Sequence, residues 1–188
     1  MKIDHNKFIS ACGKFNNSQK SGMDFLLTCL ENDPNITDIR WAAYMIATTG
    51  RECGGEFQPI AEYGNGKGKP YGQPDGPSHL IYFGRGYVQL TWYANYKTMT
   101  NAWNKYHPNA KIDFTAHPEL LLIPEYAYWV MSYGMRNGSF TGVSLSKYIT
   151  GDKCDYLNAR RIINGVDHAA EIAKAAEWFE RTLRDCLI

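Results

Sequence analysis

The stretch from Gly64 to Pro77, Gly-Asn-Gly-Lys-Gly-Lys-Pro-Tyr-Gly-Gln-Pro-Asp-Gly-Pro, constrains this chain more than any other segment. Glycine gives up the most backbone freedom on entering regular structure, and proline lacks the N–H that a helix or ladder needs. Neither a helix interior nor a strand interior can form there. Such a stretch is either a flexible linker between domains or a long functional loop. Its flanks carry unusual chemistry, so the loop reading is preferred. With 188 residues, the expectation is a single domain over 1–188, at most a core with a small lobe.

Before the loop the pattern is helical. Asp4 caps an expected helix to about Phe15, and a second covers roughly Gly22 to Glu31, ahead of Asp33-Pro34. A third starts after Asn35 or Thr37, carries Trp41, Ala42, Met45, Ile46 and Thr49 at helical spacing, and stops at Gly54-Gly55. After the loop, Leu80 to Thr91 mixes β-branched and aromatic residues with Gly84 and Gly86, which predicts a short, irregular β element. Helices are then expected over about 92–106, 118–135, 143–149, 153–163 and 168–186. The fold class is therefore mainly α, with a small β patch beside a substrate cleft.

Several function classes are excluded. The net charge is +1 and no basic block is present, so no nucleic-acid partner is expected. No run of about 18 apolar residues exists, and stable membrane insertion is not expected. The five histidines form no His-x-x-x-His pair or HExxH motif, and the five cysteines have no metal-ligand spacing. Neither a metal nor a cofactor is expected. The cysteines read as reduced thiols, and the polar residues from Met1 to Phe15 do not make a signal peptide. Thirteen Tyr and five Trp suit either a sugar-stacking surface or a tyrosine-rich core.

The chemistry concentrates around two carboxylates. Glu52 closes a largely apolar helix, facing the negative end of its dipole, where a protonated carboxyl is favoured over a charged one. That is the setting of a general acid; an ion pair with Arg51 or Arg85 is the plain alternative. Glu62 lies ten residues later, at the edge of the loop. Glycoside hydrolysis needs two such groups, one protonating the leaving oxygen and one activating water or attacking the sugar. Glu56 and Asp75 compete for the second role. In Gly84-Arg-Gly-Tyr-Val-Gln-Leu-Thr91, an extended backbone would put Gln89 and Thr91 on one face, toward a sugar or a water. The alternative is a packed hairpin whose polar side chains serve its own backbone. The Gly-x-Gly lacks the third glycine of a dinucleotide site. Asn164-Gly165 reads as a left-handed helix cap or as an amide aimed at the cleft. Cys53 reads as a packed thiol rather than a nucleophile.

Taken together, Thr48 to Phe57, then Glu62, then Tyr82 to Thr91, then Asn95-Tyr96 resemble the chitinase-like glycoside hydrolases of family 19, and among them the single-domain phage endolysins. Ala116 to Leu121 and Ile162 to Gly165 add to the likeness, which spans about residues 40 to 166. The resemblance implies a lysozyme-like, two-lobed helical fold and an inverting mechanism. Glu52 matches the general acid, Glu62 the second carboxylate of the endolysin branch, and Thr91 a residue that positions the attacking water. Gln89, Asn95, Tyr87 and Asn164 fall at substrate-lining positions, and Arg85 matches a structural arginine. Two departures are present: Arg51 precedes the acid where His or Ser is usual, and Val166 replaces the second glycine of Asn-Gly-Gly. Arg51 is expected to point away from the cleft.

The implied activity is hydrolysis of β-1,4 glycosidic bonds in bacterial peptidoglycan by a monomeric endolysin, held in the host cytoplasm until released to the cell wall. A chitinase is the second enzyme reading. A catalytically inactive glycan-binding module is the reading from another class, and the presence of both carboxylates argues against it.

Overall fold

A computed structural model describes residues 1–188. In chain order the α-helices are α1 (His5–Ala11), α2 (Asn17–Asn32), α3 (Ile39–Glu52), α4 (Tyr93–Tyr106), α5 (Pro124–Asn137), α6 (Leu145–Tyr148), α7 (Tyr156–Ala159) and α8 (Ala169–Asp185). The strands are pairs of residues only: β1 (Ile60–Ala61), β2 (Pro74–Asp75), β3 (Leu80–Ile81), β4 (Arg85–Gly86), β5 (Ile149–Thr150) and β6 (Lys153–Cys154). They pair antiparallel as β1 with β4, β2 with β3 and β5 with β6. The mainly helical class with a small β component is as the sequence predicts.

The chain forms two compact units, Met1–Gln58 with Met131–Ile188, and Pro59–Val130. The first is built on α3. Its residues Ala42 to Thr49 are all buried, so this helix has no solvent face along that stretch. The amphipathic α8 lays Ile172, Ala173, Ala176, Phe179 and Leu183 against it. Alanines on both helices let the axes approach closely. Phe8 stacks on Phe179 at 6.2 Å, and Phe57 meets both Phe179 and Phe15. Polar side chains add specific bonds: the Thr49 hydroxyl donates to the Met131 sulfur, and the Trp41 indole N–H donates to the Ile149 carbonyl.

Helix ends depart from the predicted ones for local reasons. Gly13 sits at φ +90°, and α1 ends at Ala11 rather than near Phe15. Asn16 and Gln19 form a reciprocal capping box, so α2 starts five residues before the predicted Gly22. The predicted 118–135 helix is divided. Ile123, forced extended by the following proline, separates the 3-10 turn Pro118–Leu122 from α5. The predicted left-handed cap at Asn164-Gly165 is absent, since neither residue has a positive φ.

In the second unit, Trp103 anchors an aromatic cluster with His107, Phe114, Tyr126 and Trp129. The glycine- and proline-rich stretch is an ordered loop. It holds the 3-10 turn Pro70–Gly72 and the strand β2, each too short to have an interior. All five cysteines are thiols. No helix is long and apolar enough to cross a membrane.

Candidate active site

Glu52 is the last residue of α3, as predicted. Its Oε1 accepts from Arg160 Nη1 at 2.5 Å; the two side chains are 16 % and 4 % exposed. Arg160 also donates from Nε to the Asp167 carbonyl at 3.1 Å and faces the Asp167 carboxylate. Burial works against the charge on this guanidinium, but Glu52 and Asp167 outweigh it and hold Arg160 more firmly protonated than usual. The cation of the Glu52 pair is therefore neither Arg51 nor Arg85. Arg160 was not among the predicted site residues. Its signal in the sequence is positional: Tyr156, Ala159 and Ile162 are buried, and Arg160 falls on the same face, where a charge needs a carboxylate.

Arg51 turns to α8 instead. Its Nη2 lies 2.7 Å from His168 Nε2, and its Nη1 lies 3.7 Å from Glu171. An arginine only donates, so His168 accepts at Nε2 and presents its Nδ1 proton to Glu171, 3.1 Å away. Arg51 and Glu52 thus grip successive residues, His168 directly and Asp167 through Arg160. Asn164 is exposed, and its Oδ1 accepts from the next N–H, of Gly165.

Glu62 belongs to the second unit and is held differently. Its Oε1 accepts from the Tyr71 hydroxyl at 2.8 Å, and its Oε2 from the Gly84 N–H at 3.1 Å. Its own N–H donates to the Gly84 carbonyl at 2.7 Å. A Cβ at Gly84 would stand 2.8 Å from the Gln89 Oε1, so a side chain there would displace the Gln89 amide. Glu62, Gly84 and Gln89 are brought together by the β1–β4 pairing.

The Gly84 to Thr91 segment is a tight hairpin. Arg85 and Leu90 exchange backbone hydrogen bonds, and Gly86 and Gln89 adopt φ +82° and +51°. Gln89 is thus not extended, and the predicted alternation of Gln89 with Thr91 does not hold. The Gln89 amide donates to the Ile60 and Gly86 carbonyls, which is the backbone-serving alternative. Tyr87 is 1 % exposed. Its ring belongs to the core, which corrects its expected place on a substrate-facing surface. Arg85 is buried and bonds to the Ile81 and Phe83 carbonyls and the Tyr96 hydroxyl, with its guanidinium 3.5 Å over the Phe83 ring. Thr91 is partly exposed and precedes α4, and its carbonyl accepts from the Asn95 amide at 2.9 Å. Trp92 follows it at φ +71°, 45 % exposed, edge-on to Tyr71 at 5.6 Å. Of the competing carboxylates, Glu56 is partly buried and Asp75 is exposed, capping the N–H of Gly76.

Solved structures give this arrangement its context. Chitinase C from Streptomyces griseus HUT6037 superposes with a TM-score of 0.65 at 20 % identity, over 97 % of this chain and 76 % of that one. A bacterial family 19 chitinase gives 0.60 at 21 % identity, over 96 % and 94 %. The fold is that of the family 19 chitinases. A glutamate-to-glutamine variant of chitinase C shares the family 19 fold as well, with a TM-score of 0.57 at 19 % identity over 97 % and 92 %. No family sequence profile matches the chain, and no curated protein sequence matches it.

Proposed function

We propose that the chain is a glycoside hydrolase that cuts β-1,4 bonds of an N-acetylated amino-sugar polymer by inversion, with Glu52 as general acid and Glu62 as general base. The observation that carries this reading is the pair of glutamates on a family 19 chitinase fold: Glu52 closing α3, and Glu62 held by two neutral donors with lone pairs to spare. Arg160 can only donate, so Oε1 of Glu52 is an acceptor, and the proton given to the leaving oxygen sits on Oε2. Glu62, with Thr91 positioning the water, takes the proton from the nucleophile.

The substrate proposed is bacterial peptidoglycan, and the role that of a monomeric endolysin stored in a host cytoplasm. The ten-residue spacing of Glu52 and Glu62 and the surrounding motifs support this through their resemblance to phage endolysins. Chitin is the second reading, favoured by the chitinases among the solved structures of this fold. Through the same resemblance Asn95, Gln89 and Asn164 are proposed as sugar-lining positions. The test is the Glu52→Gln variant, assayed on outer-membrane-permeabilised bacteria and on purified peptidoglycan and chitin oligomers. Turnover should drop by roughly 10²- to 10⁴-fold with the fold intact. Full turnover by folded Glu52→Gln removes the assignment. Mass spectrometry of the wild-type products separates the two polymers.

A further inference from the structure

We propose that Tyr71 is a positioning residue for Glu62, fixing its carboxylate from within the glycine-rich loop; this rests on reading Glu62 as the base. Each oxygen of Glu62 has one protein donor, Tyr71 on Oε1 and the Gly84 N–H on Oε2. One bond per oxygen fixes the carboxylate plane and leaves further lone pairs on each for water. The Gly84 side of this clamp is backbone. Tyr71 is the side-chain half, and the half that substitution can remove.

The loop that carries Tyr71 starts at Glu62 and returns to it. Asn65 donates to the Glu62 carbonyl, Lys67 to Gly64, Lys69 to Gly66 and Gly72 to Lys69, so the chain is closed turn by turn. At Gly72 a Cβ would stand 1.8 Å from the Gly66 carbonyl oxygen, and Gly66 itself is at φ +76°. These contacts require glycine and hold the Pro70–Gly72 turn against the start of the loop. The Tyr71 ring also packs T-shaped with the Trp92 ring at 5.6 Å.

The chemistry of the donor suits a base. A cation at this position would oppose the uptake of a proton; a neutral phenol orients the carboxylate without adding a charge beside it. Burial, and then the bond to Glu62, push the Tyr71 hydroxyl up to about 12, so it keeps its proton and stays a donor at any working pH.

The experiment compares wild type, Tyr71→Phe, Glu62→Ala and the double variant across pH, on whichever of purified peptidoglycan and chitin oligomers the wild type cleaves, with melting curves alongside. Phenylalanine keeps the ring against Trp92 and removes only the donor. The expected result is kcat lower by about 10- to 100-fold, the usual worth of a hydrogen bond to a charged group. KM should stay within about twofold. The acid limb of kcat/KM should move to higher pH, because an ionised base has lost a donor. In the Glu62→Ala background the Tyr71 substitution should cost nothing more. An impaired Glu62→Ala beside a Tyr71→Phe with wild-type kcat and an unmoved acid limb overturns the proposal alone, as do losses that add in the double variant. Wild-type turnover by Glu62→Ala overturns the base reading and this proposal with it. Should Tyr71→Phe not fold, 3-fluorotyrosine at position 71 replaces it. Its more acidic hydroxyl moves the acid limb to lower pH, and an unmoved limb overturns the proposal.

Discussion

At the scale of single residues, the Arg160–Glu52 pair carries the sharpest consequence. Taking away one partner of a buried pair leaves the other charge without compensation, typically at about 3–5 kcal/mol. Glu52 keeps some exposure, so Arg160→Met should cost about 3 kcal/mol, near the lower end of that range. For a chain of this length that lowers Tm by roughly 10 °C. Adding Glu52→Gln to Arg160→Met should recover part of the loss, because no lone carboxylate remains. Thermal unfolding of the two variants checks this, and an unchanged Tm for Arg160→Met contradicts it. What was legible at this scale followed chain-local signals. Glu52 could be placed at a helix end from apolar spacing and Gly54-Gly55. Its partner lies 108 residues away, and no local signal links the two. The same holds for Glu62: its place at the loop's edge was readable, whereas its donors Tyr71 and Gly84 emerge only when the loop folds back. Tyr87 was misplaced because a tyrosine in a motif does not reveal which way its ring faces; here the ring fills the core.

At the scale of elements, α2 shows propensity and packing in conflict. Gly22 lies within α2, where alanine would gain about 1 kcal/mol of helix propensity. Yet a Cβ at Gly22 would stand 2.3 Å from the Phe57 carbonyl oxygen, a backbone atom that cannot swing aside. Overpacking of this kind costs about 1–3 kcal/mol, so Gly22→Ala should be destabilising on balance. A denaturant titration showing a higher midpoint for Gly22→Ala would contradict this. Helix existence was legible where helical spacing of apolar residues was long, as in α3 and α8, and boundaries were less so. The capping box of Asn16 and Gln19 marks the start of α2 through two polar residues outside the apolar pattern. The division at Ile123 follows from a proline that sits well at a helix start and badly behind a helical residue.

At the scale of the whole molecule, stability should be a dome in pH. Burial opposes the charge on Asp33, but bonds from Ser132 and Asn35, with Arg136 nearby, more than offset it and hold its carboxyl low. Glu31, Asp38, Asp113 and Asp155 are also held low by their donors. A carboxyl lowered in the folded state adds stability that is present above its unfolded value, near about 4, and lost as pH falls through the folded value. The raised groups act at the other end. Burial pushes Tyr96 and Cys12, like Tyr71, up to about 12. Their contribution is present below their unfolded values, about 8.5 for a thiol and 10 for a phenol, and lost as pH rises toward 12. Tm should therefore be nearly flat from about pH 5 to 8 and fall on both sides. Calorimetry across pH checks this; a Tm that rises below pH 4 contradicts it.

The division of the chain has a consequence for how it is made. The second unit is one continuous piece, Pro59–Val130, whereas the first is split between the two ends of the chain. During synthesis the inserted piece leaves the ribosome whole while the unit begun before it is still waiting for α8, the helix that covers α3. The nascent protein thus carries the apolar surface of α3 uncovered until α8, more than a hundred residues later, has been made. That interval, rather than any step in the finished molecule, is when a chaperone has most to shield.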